Sequence, residues 1–260
     1  WELYPLGGFD EDWEAASSST DTGYTVTGES ILPREYSLSP EESLAEWVID
    51  GEYELQIVAA EPLVCDPVDV VWDEEGRMFV AEMRDYPLPA EGGFLSRIRL
   101  LYDRDGDGRM DEAKIWADEL DNVQGLLPMN GGLLVTTRTA ILFLKDTDGD
   151  DVADVNKVLF RSNEPKHNQL QVSSPRWGVD NSIYLNNGLD LKEIYPADEP
   201  EQIQKIAKTN IRLDPKSFEI TPVSGYGQFG ATQDDFGRRF FCSNRNPTMM
   251  AVMPLDSVKR

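Results

Sequence analysis

Two aspartate-rich stretches carry the residue types and spacing best suited to chemistry. Asp103-Arg104-Asp105-Gly106-Asp107-Gly108-Arg109-Met110-Asp111 and Asp146-Thr147-Asp148-Gly149-Asp150-Asp151-Val152-Ala153-Asp154 begin 43 residues apart, and each places Asp at positions 1, 3, 5 and 9 of a tight turn. That spacing turns Asp103, Asp105, Asp107 and Asp111, with the carbonyl of Arg109, towards one point. Asp146, Asp148, Asp150 and Asp154, with the carbonyl of Val152, repeat the arrangement. Ca²⁺ takes about six to eight oxygen ligands and suits such a set. Without a cation, four carboxylates so close would repel by roughly several kcal/mol in aggregate. The stretches read as calcium sites; the alternative is a solvated acidic turn without metal.

They are not EF-hands, in which a bidentate Glu closes the shell at the twelfth position. Lys114 and Lys157 stand there instead. The flanking runs are β-leaning: Ile98-Arg99-Leu100-Leu101-Tyr102 and Ala140-Ile141-Leu142-Phe143-Leu144 before the loops, Lys114-Ile115-Trp116 and Lys157-Val158-Leu159-Phe160 after them. Strand, metal loop, strand is a hairpin stiffened at its turn. The first loop has Gly108 at the sharp-turn position where the second has Asp151. Asp tolerates a left-handed backbone less well than Gly, which predicts weaker binding in the second loop.

The elements that must position these loops repeat along the chain. Val70–Val80, Leu126–Val135, Trp177–Leu185 and Ala231–Cys242 each run from an apolar or small stretch through a polar turn into a β run. Aligning Phe79, Leu134, Tyr184 and Phe241 gives spacings of 55, 50 and 57 residues. That is the length of a four-stranded propeller blade, and the pattern predicts an all-β propeller with about four blades in this chain, part of a larger propeller. Trp72, Phe79, Leu134, Trp177, Tyr184 and Phe240 are expected to pack within or between blades. The domain is expected over 39–260, preceded by an extended arm over 1–38. At its start, Ser39, Pro40 and Glu42 spell a capping box, with Leu44, Trp47 and Val48 as the buried stripe of a helix ended by Gly51. Tyr53, Leu55 and Ile57 then alternate as in a half-buried strand. The stretch 190–208 interrupts the rhythm, and Glu201–Lys208 reads as a short helix or a loop. A hairpin over 210–220 follows, leading into the fourth blade.

The 260 residues carry a net charge of −24, with 40% hydrophobic and 10% aromatic residues. That composition belongs to a folded protein, and its field repels nucleic acid and anionic membranes. It suits calcium-containing extracytoplasmic fluid and cationic partners. No apolar run approaches the ~18 residues of a transmembrane helix. The start at Trp1, without Met or a leader pattern, is expected of a mature exported form. An export setting permits a disulfide between Cys65 and Cys242; two free thiols are the alternative. Neither Cys-x-x-Cys-His nor Cys-x-x-Cys occurs, so no c-type haem is expected in this chain.

Several further motifs occur in order: Ser39-Pro40-Glu41-Glu42, Ala59-Ala60-Glu61-Pro62-Leu63-Val64, Ala81-Glu82-Met83-Arg84-Asp85-Tyr86-Pro87, Arg176-Trp177-Gly178-Val179-Asp180-Asn181, Gly227-Gln228-Phe229-Gly230 and Cys242-Ser243-Asn244-Arg245-Asn246-Pro247. Together the set resembles the N-terminal propeller of the haem-binding, membrane-bound-dehydrogenase-like proteins of planctomycetes and verrucomicrobia. The resemblance covers roughly 39–260. It implies an exported protein, a propeller related to those of quinoprotein sugar dehydrogenases, and a c-type cytochrome domain or other subunits of an extracytoplasmic complex as partners.

The same resemblance implies a base. His167, the one histidine of the chain, precedes the strand-like Trp177–Tyr184, and in quinoprotein sugar dehydrogenases a His so placed takes the substrate proton while hydride passes to pyrroloquinoline quinone. Arg176 and Arg245 are the candidates to hold an anionic cofactor, with salt bridges inside the acidic domain as the alternative. Asp180, Asn181, Asn186 and Asn187 either line the propeller mouth or serve as turn residues. Two functions stand side by side. One is a calcium-bound structural and interaction module of a dehydrogenase–cytochrome assembly; the other is a quinone-dependent sugar or alcohol dehydrogenase with His167 as base.

Overall fold

The β run Met78–Glu82 is buried at every position, as expected of a strand covered on both faces. In this computed structural model, which describes residues 38–87, 93–206 and 208–258, it is the second strand of the first of four antiparallel sheets. The first sheet is β1 (Pro67–Trp72), β2 (Met78–Glu82), β3 (Ser96–Tyr102) and β4 (Glu112–Leu120), in that order. The second is β5 (Gly125–Met129), β6 (Gly132–Thr136), β7 (Ala140–Lys145) and β8 (Val155–Ser162), extended at its outer edge by β11 (Glu193–Pro196) and β12 (Gln204–Lys205). The third is β9 (Ser173–Trp177), β10 (Ile183–Asn186), β13 (Asn210–Leu213) and β14 (Ile220–Val223). The fourth is β15 (Phe229–Gln233), β16 (Arg239–Cys242) and β17 (Met249–Met250).

The first strands of successive sheets are neighbours: β1 lies beside β5, β5 beside β9, and β9 beside β15. Sheets that meander outward from a shared row of first strands are propeller blades. The aligned residues Phe79, Leu134, Tyr184 and Phe241 all fall in second strands, one per blade.

Burial follows from that plan. The outer β4 mixes exposed and covered positions, whereas β2 and β6 are covered on both faces. One core layer joins blades 1 and 2 through Phe79, Ile98, Leu100 and Trp116 against Leu126, Leu133, Val135 and Leu144. Phe79 and Trp116 meet edge to face, centroids 5.1 Å apart. A second layer joins blades 2 and 3 through Leu134, Ile141 and Phe160 against Ile183, Leu185, Ile211 and Leu213. The alternate residues of blade 1, Met78, Val80 and Leu101, turn the other way and are covered by Ala59, Val64 and Met110.

Several expectations fail for identifiable reasons. Trp72 is 57% exposed and Trp177 43% exposed, because both end first strands at the rim. Trp177 still ties blade 3 to blade 2, its indole N–H donating to the Pro128 carbonyl at 3.1 Å. The 190–208 insertion is neither helix nor free loop. It leaves blade 3 after β10, adds β11 to β8 of blade 2, and returns to blade 3 as β13. The hairpin over 210–220 forms with its second strand at Ile220–Val223, completing blade 3 before blade 4 begins.

The chain divides into two compact units, Trp1–Gln56 and Ile57–Arg260. In the first, α1 (Pro40–Ala45) has the capping box: Ser39 Oγ accepts from the Glu42 N–H at 3.1 Å and Glu42 Oε2 from the Ser39 N–H at 2.8 Å. The helix ends at Glu46 rather than Gly51. At six residues it is too short to present a stripe, and Trp47 and Val48 are exposed. Tyr53 and Leu55 are also exposed, and no strand forms there. The expected arm over 1–38 lies outside the described residues except at its last position. A four-residue helix, α2 (Leu255–Val258), closes the described chain.

Blades 1 to 3 are tied at their first strands by one carboxylate. Asp69 on β1 accepts the Leu126 N–H of β5 at 2.9 Å and pairs with Arg176 of β9 at 3.1 Å. Asp69→Ala leaves a backbone donor and a guanidinium without their acceptor. We expect a loss of about 2–3 kcal/mol in urea-unfolding free energy. A loss below about 0.5 kcal/mol would show that the tie contributes little.

Candidate functional site

Both aspartate stretches are the turns between third and fourth strands, β3–β4 in blade 1 and β7–β8 in blade 2. Their internal bonding is the same. Asp103 accepts the Gly106 N–H at 2.7 Å on Oδ1 and the Gly108 N–H at 2.9 Å on Oδ2. Asp146 accepts Gly149 at 2.7 Å and Asp151 at 2.9 Å in the same way. The last Asp of each loop reaches back to the second residue, Asp111 to the Arg104 N–H and Asp154 to the Thr147 N–H. Backbone N–H donors, that of Gly108 foremost, hold the Asp103 carboxyl below the usual carboxylate range.

The geometry gathers three of the four carboxylates in each loop. Oxygens of Asp103, Asp105 and Asp111 lie within 4.8 Å of one another, as do those of Asp146, Asp148 and Asp154. Asp107 and Asp150 stand outside these trios; each caps the residue two further on, the Arg109 N–H at 2.7 Å and the Val152 N–H at 2.9 Å. Three hard carboxylate oxygens concentrated on one turn are a donor set suited to a hard divalent cation.

The two loops differ in their surroundings. Asp151 occupies the sharp-turn position with φ +67°, where Gly108 has φ +89°. The left-handed conformation at Asp151 is offset by a 2.7 Å ion pair with Lys114 of β4. The Lys114 bond holds the Asp151 carboxyl below its usual range and raises the lysine in turn. Burial first, and the Asp151 charge after it, push the Tyr102 phenol well above its ordinary value. Ala153 N–H also donates to the Trp116 carbonyl at 2.7 Å. The second loop thus rests on blade 1, whereas the first is bonded to the preceding segment through Met110 N–H and Val58 O at 2.8 Å. Sequence spacing gave no sign of Lys114–Asp151, since it pairs residues of different blades.

His167 lies on the β8–β9 connection. Connections from fourth to first strands leave the end of the propeller opposite the third-to-fourth turns, so His167 and the aspartate loops face opposite ways. His167 is exposed, edge-on to Tyr86 of the β2–β3 connection at 6.3 Å between centroids. Gln169 bonds the Tyr86 hydroxyl through its side chain, and its N–H donates to His167 Nδ1 at 3.3 Å. An acceptor at Nδ1 places the proton of the neutral ring on Nε2, which then offers a donor rather than a lone pair. Arg176 is held by Asp69 and by the Pro175 carbonyl at 2.8 Å, the salt-bridge alternative. Arg245 is exposed on the β16–β17 turn, at the same end as His167. Asp180 and Asn181 are turn residues between β9 and β10, while Asn186 and Asn187 are fully buried. Cys65 and Cys242 are both free and half-buried.

Four meandering blades around a shared row of first strands define a β-propeller, with two metal-type loops on one end and the lone histidine on the other. The chain belongs to the family described as Domain of unknown function (DUF7133), whose profile matches residues 39–260. No curated protein matches its sequence. Among solved structures it is similar to the holo form of the pyranose dehydrogenase PQQ domain from Coprinopsis cinerea, at 14% identity and TM-score 0.48, over 71% of this chain and 44% of that one. It is also similar to an oxidoreductase assigned as a glucose dehydrogenase from Thermus thermophilus, at 15% identity and TM-score 0.44, over 71% of this chain and 62% of that one. The chain therefore spans less than two thirds of the length of either. No helix among the described residues is long and apolar enough to cross a membrane.

Proposed function

We propose that this chain is a calcium-binding β-propeller that serves as a structural and interaction module of an exported dehydrogenase–cytochrome assembly. The observation that carries the reading is the pair of loops with matched bonding and matched carboxylate trios. Asp103, Asp105 and Asp111 would hold one ion; Asp146, Asp148 and Asp154 would hold the other. Bound there, Ca²⁺ would offset most of the trio's negative charge and lock the outer hairpin of its blade. The net charge of −24 supports a cationic partner, and the sequence motifs shared with the haem-binding, membrane-bound-dehydrogenase-like proteins support the redox setting and export. Calorimetric titration with Ca²⁺ tests the metal half of the proposal: two sites are expected, the first loop at least as tight as the second. An absence of binding heat at micromolar to millimolar calcium would end it.

The second reading, a quinone-dependent dehydrogenase, is favoured by one observation: His167 is exposed beside Tyr86 at the end of the propeller away from the structural loops. Its ring and hydrogen-bond partners, Tyr86 and Gln169, are neutral, and Arg176 is held by Asp69, so of the two candidate arginines only Arg245 would be left for an anionic quinone. To act as a base, His167 would have to release the Gln169 N–H and shift its proton to Nδ1. We expect that pyrroloquinoline quinone and Ca²⁺ give no sugar- or alcohol-dependent dye reduction with this chain. Turnover that His167→Ala abolishes would replace the scaffold reading with the enzymatic one.

A further inference from the structure

The cleft between blades 3 and 4 holds a cavity of about 10 Å³, the size of one water-sized group, on whose wall are Arg176, Tyr184, Asn186, Asn210, Gln233 and Arg239. The hydrogen bonds there fix which way each amide points. Asn210 Oδ1 accepts two backbone donors, Asn187 N–H at 3.1 Å and Gly227 N–H at 2.9 Å. Its Nδ2 must therefore face Asn186, and it donates to Asn186 Oδ1 at 3.0 Å. Asn186 Nδ2 is left as the free end, fully buried and with no acceptor. A buried donor without an acceptor is costly, by about 1–3 kcal/mol, and calls for an occupant.

Arg239 supplies the charge. Its guanidinium lies over the Tyr184 ring, 4.8 Å from the centroid, and among the described residues donates only to Ser224 Oγ, at 3.0 Å. Among the described residues it belongs to no ion pair, although the chain has twice as many acidic as basic side chains. Burial lowers its pKa, and the Asp180 carboxylate, too far away to pair with it, offsets that only in part. Other groups on the wall are already engaged. Arg176 is bonded to Asp69, Tyr184 Oη donates to Asp180 at 2.9 Å, and Gln233 Oε1 accepts the Val179 N–H at 3.3 Å. A water could accept from Asn186 and Arg239, but it would also need acceptors for its own two hydrogens. A small anion accepts from both donors, needs no acceptor, and neutralises the guanidinium.

We propose that this cleft binds one monatomic anion of chloride size, held by Arg239 and the Asn186 amide, pinning blade 4 to blade 3. The test is a pair of melts of the whole chain at one sodium concentration, in chloride and in gluconate, which is too large for the cavity. Chloride should raise the melting temperature saturably, by about 3 °C at roughly tenfold excess over its Kd. Arg239→Gln should melt alike in the two salts. Crystals grown with bromide should show an anomalous peak against Asn186 Nδ2, and this measurement stands alone if Arg239→Gln does not fold. Equal melts of the natural chain in both salts, or a water there with no bromide peak, would overturn the assignment.

Discussion

Gly188→Ala should destabilise the propeller by more than about 4 kcal/mol, among the largest effects open to a single methyl group. Gly188 has φ +73° on the long connection leaving β10, and its N–H donates to the Gly227 carbonyl at 3.0 Å. A Cβ at that position would lie 1.9 Å from the Gln171 carbonyl oxygen, which is backbone and cannot swing aside. Gly76, at φ +79° in the β1–β2 turn, has nothing within 4 Å of its Cβ position and makes the matched control. Gly76→Ala should cost only the left-handed backbone penalty of about 1–2 kcal/mol. The difference between the two, read from urea midpoints, isolates the close approach of the Gln171 and Gly188 backbones. If Gly188→Ala unfolds within about 1 kcal/mol of Gly76→Ala, the two connections are not packed as described.

Gly188 also shows where sequence reasoning stops. The blades were legible because each second strand repeats the same apolar pattern at near-constant spacing, and Phe79, Leu134, Tyr184 and Phe241 occupy equivalent places. The hairpin positions of the aspartate loops were legible for the same reason: local spacing sets local geometry. What pairs across blades left no local trace. Asp69 with Arg176, and Lys114 with Asp151, are brought together only by the ring of blades. The 190–208 insertion reads as irregular because its strands are four and two residues long and borrow the edge of a neighbouring blade. The rim tryptophans erred in the opposite direction: Trp72 and Trp177 have the composition of core residues but stand at strand ends. His167 was singled out by its place before the strand-like Trp177–Tyr184 and by the family resemblance, whereas its neighbour Tyr86, far away in sequence, could not be found by spacing.

Chelation of calcium should lower the melting temperature by an amount on the order of 20 °C. An ion bound only by the folded chain contributes RT ln(1 + [L]/Kd), about 4 kcal/mol per loop when free calcium is roughly 1,000-fold above Kd. For a domain of this size each kcal/mol is worth about 2–4 °C. The two loops should not contribute alike. The second rests on Trp116 through the Ala153 N–H bond, and on Lys114 through Asp151. Its Asp154 carboxylate is also engaged by the Thr147 hydroxyl at 2.6 Å, a bond that calcium must compete with. In the first loop the Arg104 side chain turns away to Glu112 at 2.9 Å, and it is the Arg104 backbone N–H that Asp111 accepts. The first loop should therefore keep its ion to lower free calcium. Asp105→Asn should remove the tighter calorimetric site and leave the calcium-dependent part of the tryptophan fluorescence. Asp148→Asn should remove the weaker site together with that signal, and Trp116→Phe should silence the signal while both sites remain. A melt unmoved by chelator, with both Asp variants indistinguishable from the natural chain, would mean that the loops are solvated acidic turns. The hairpins would then be held by their Asp-to-backbone bonds alone.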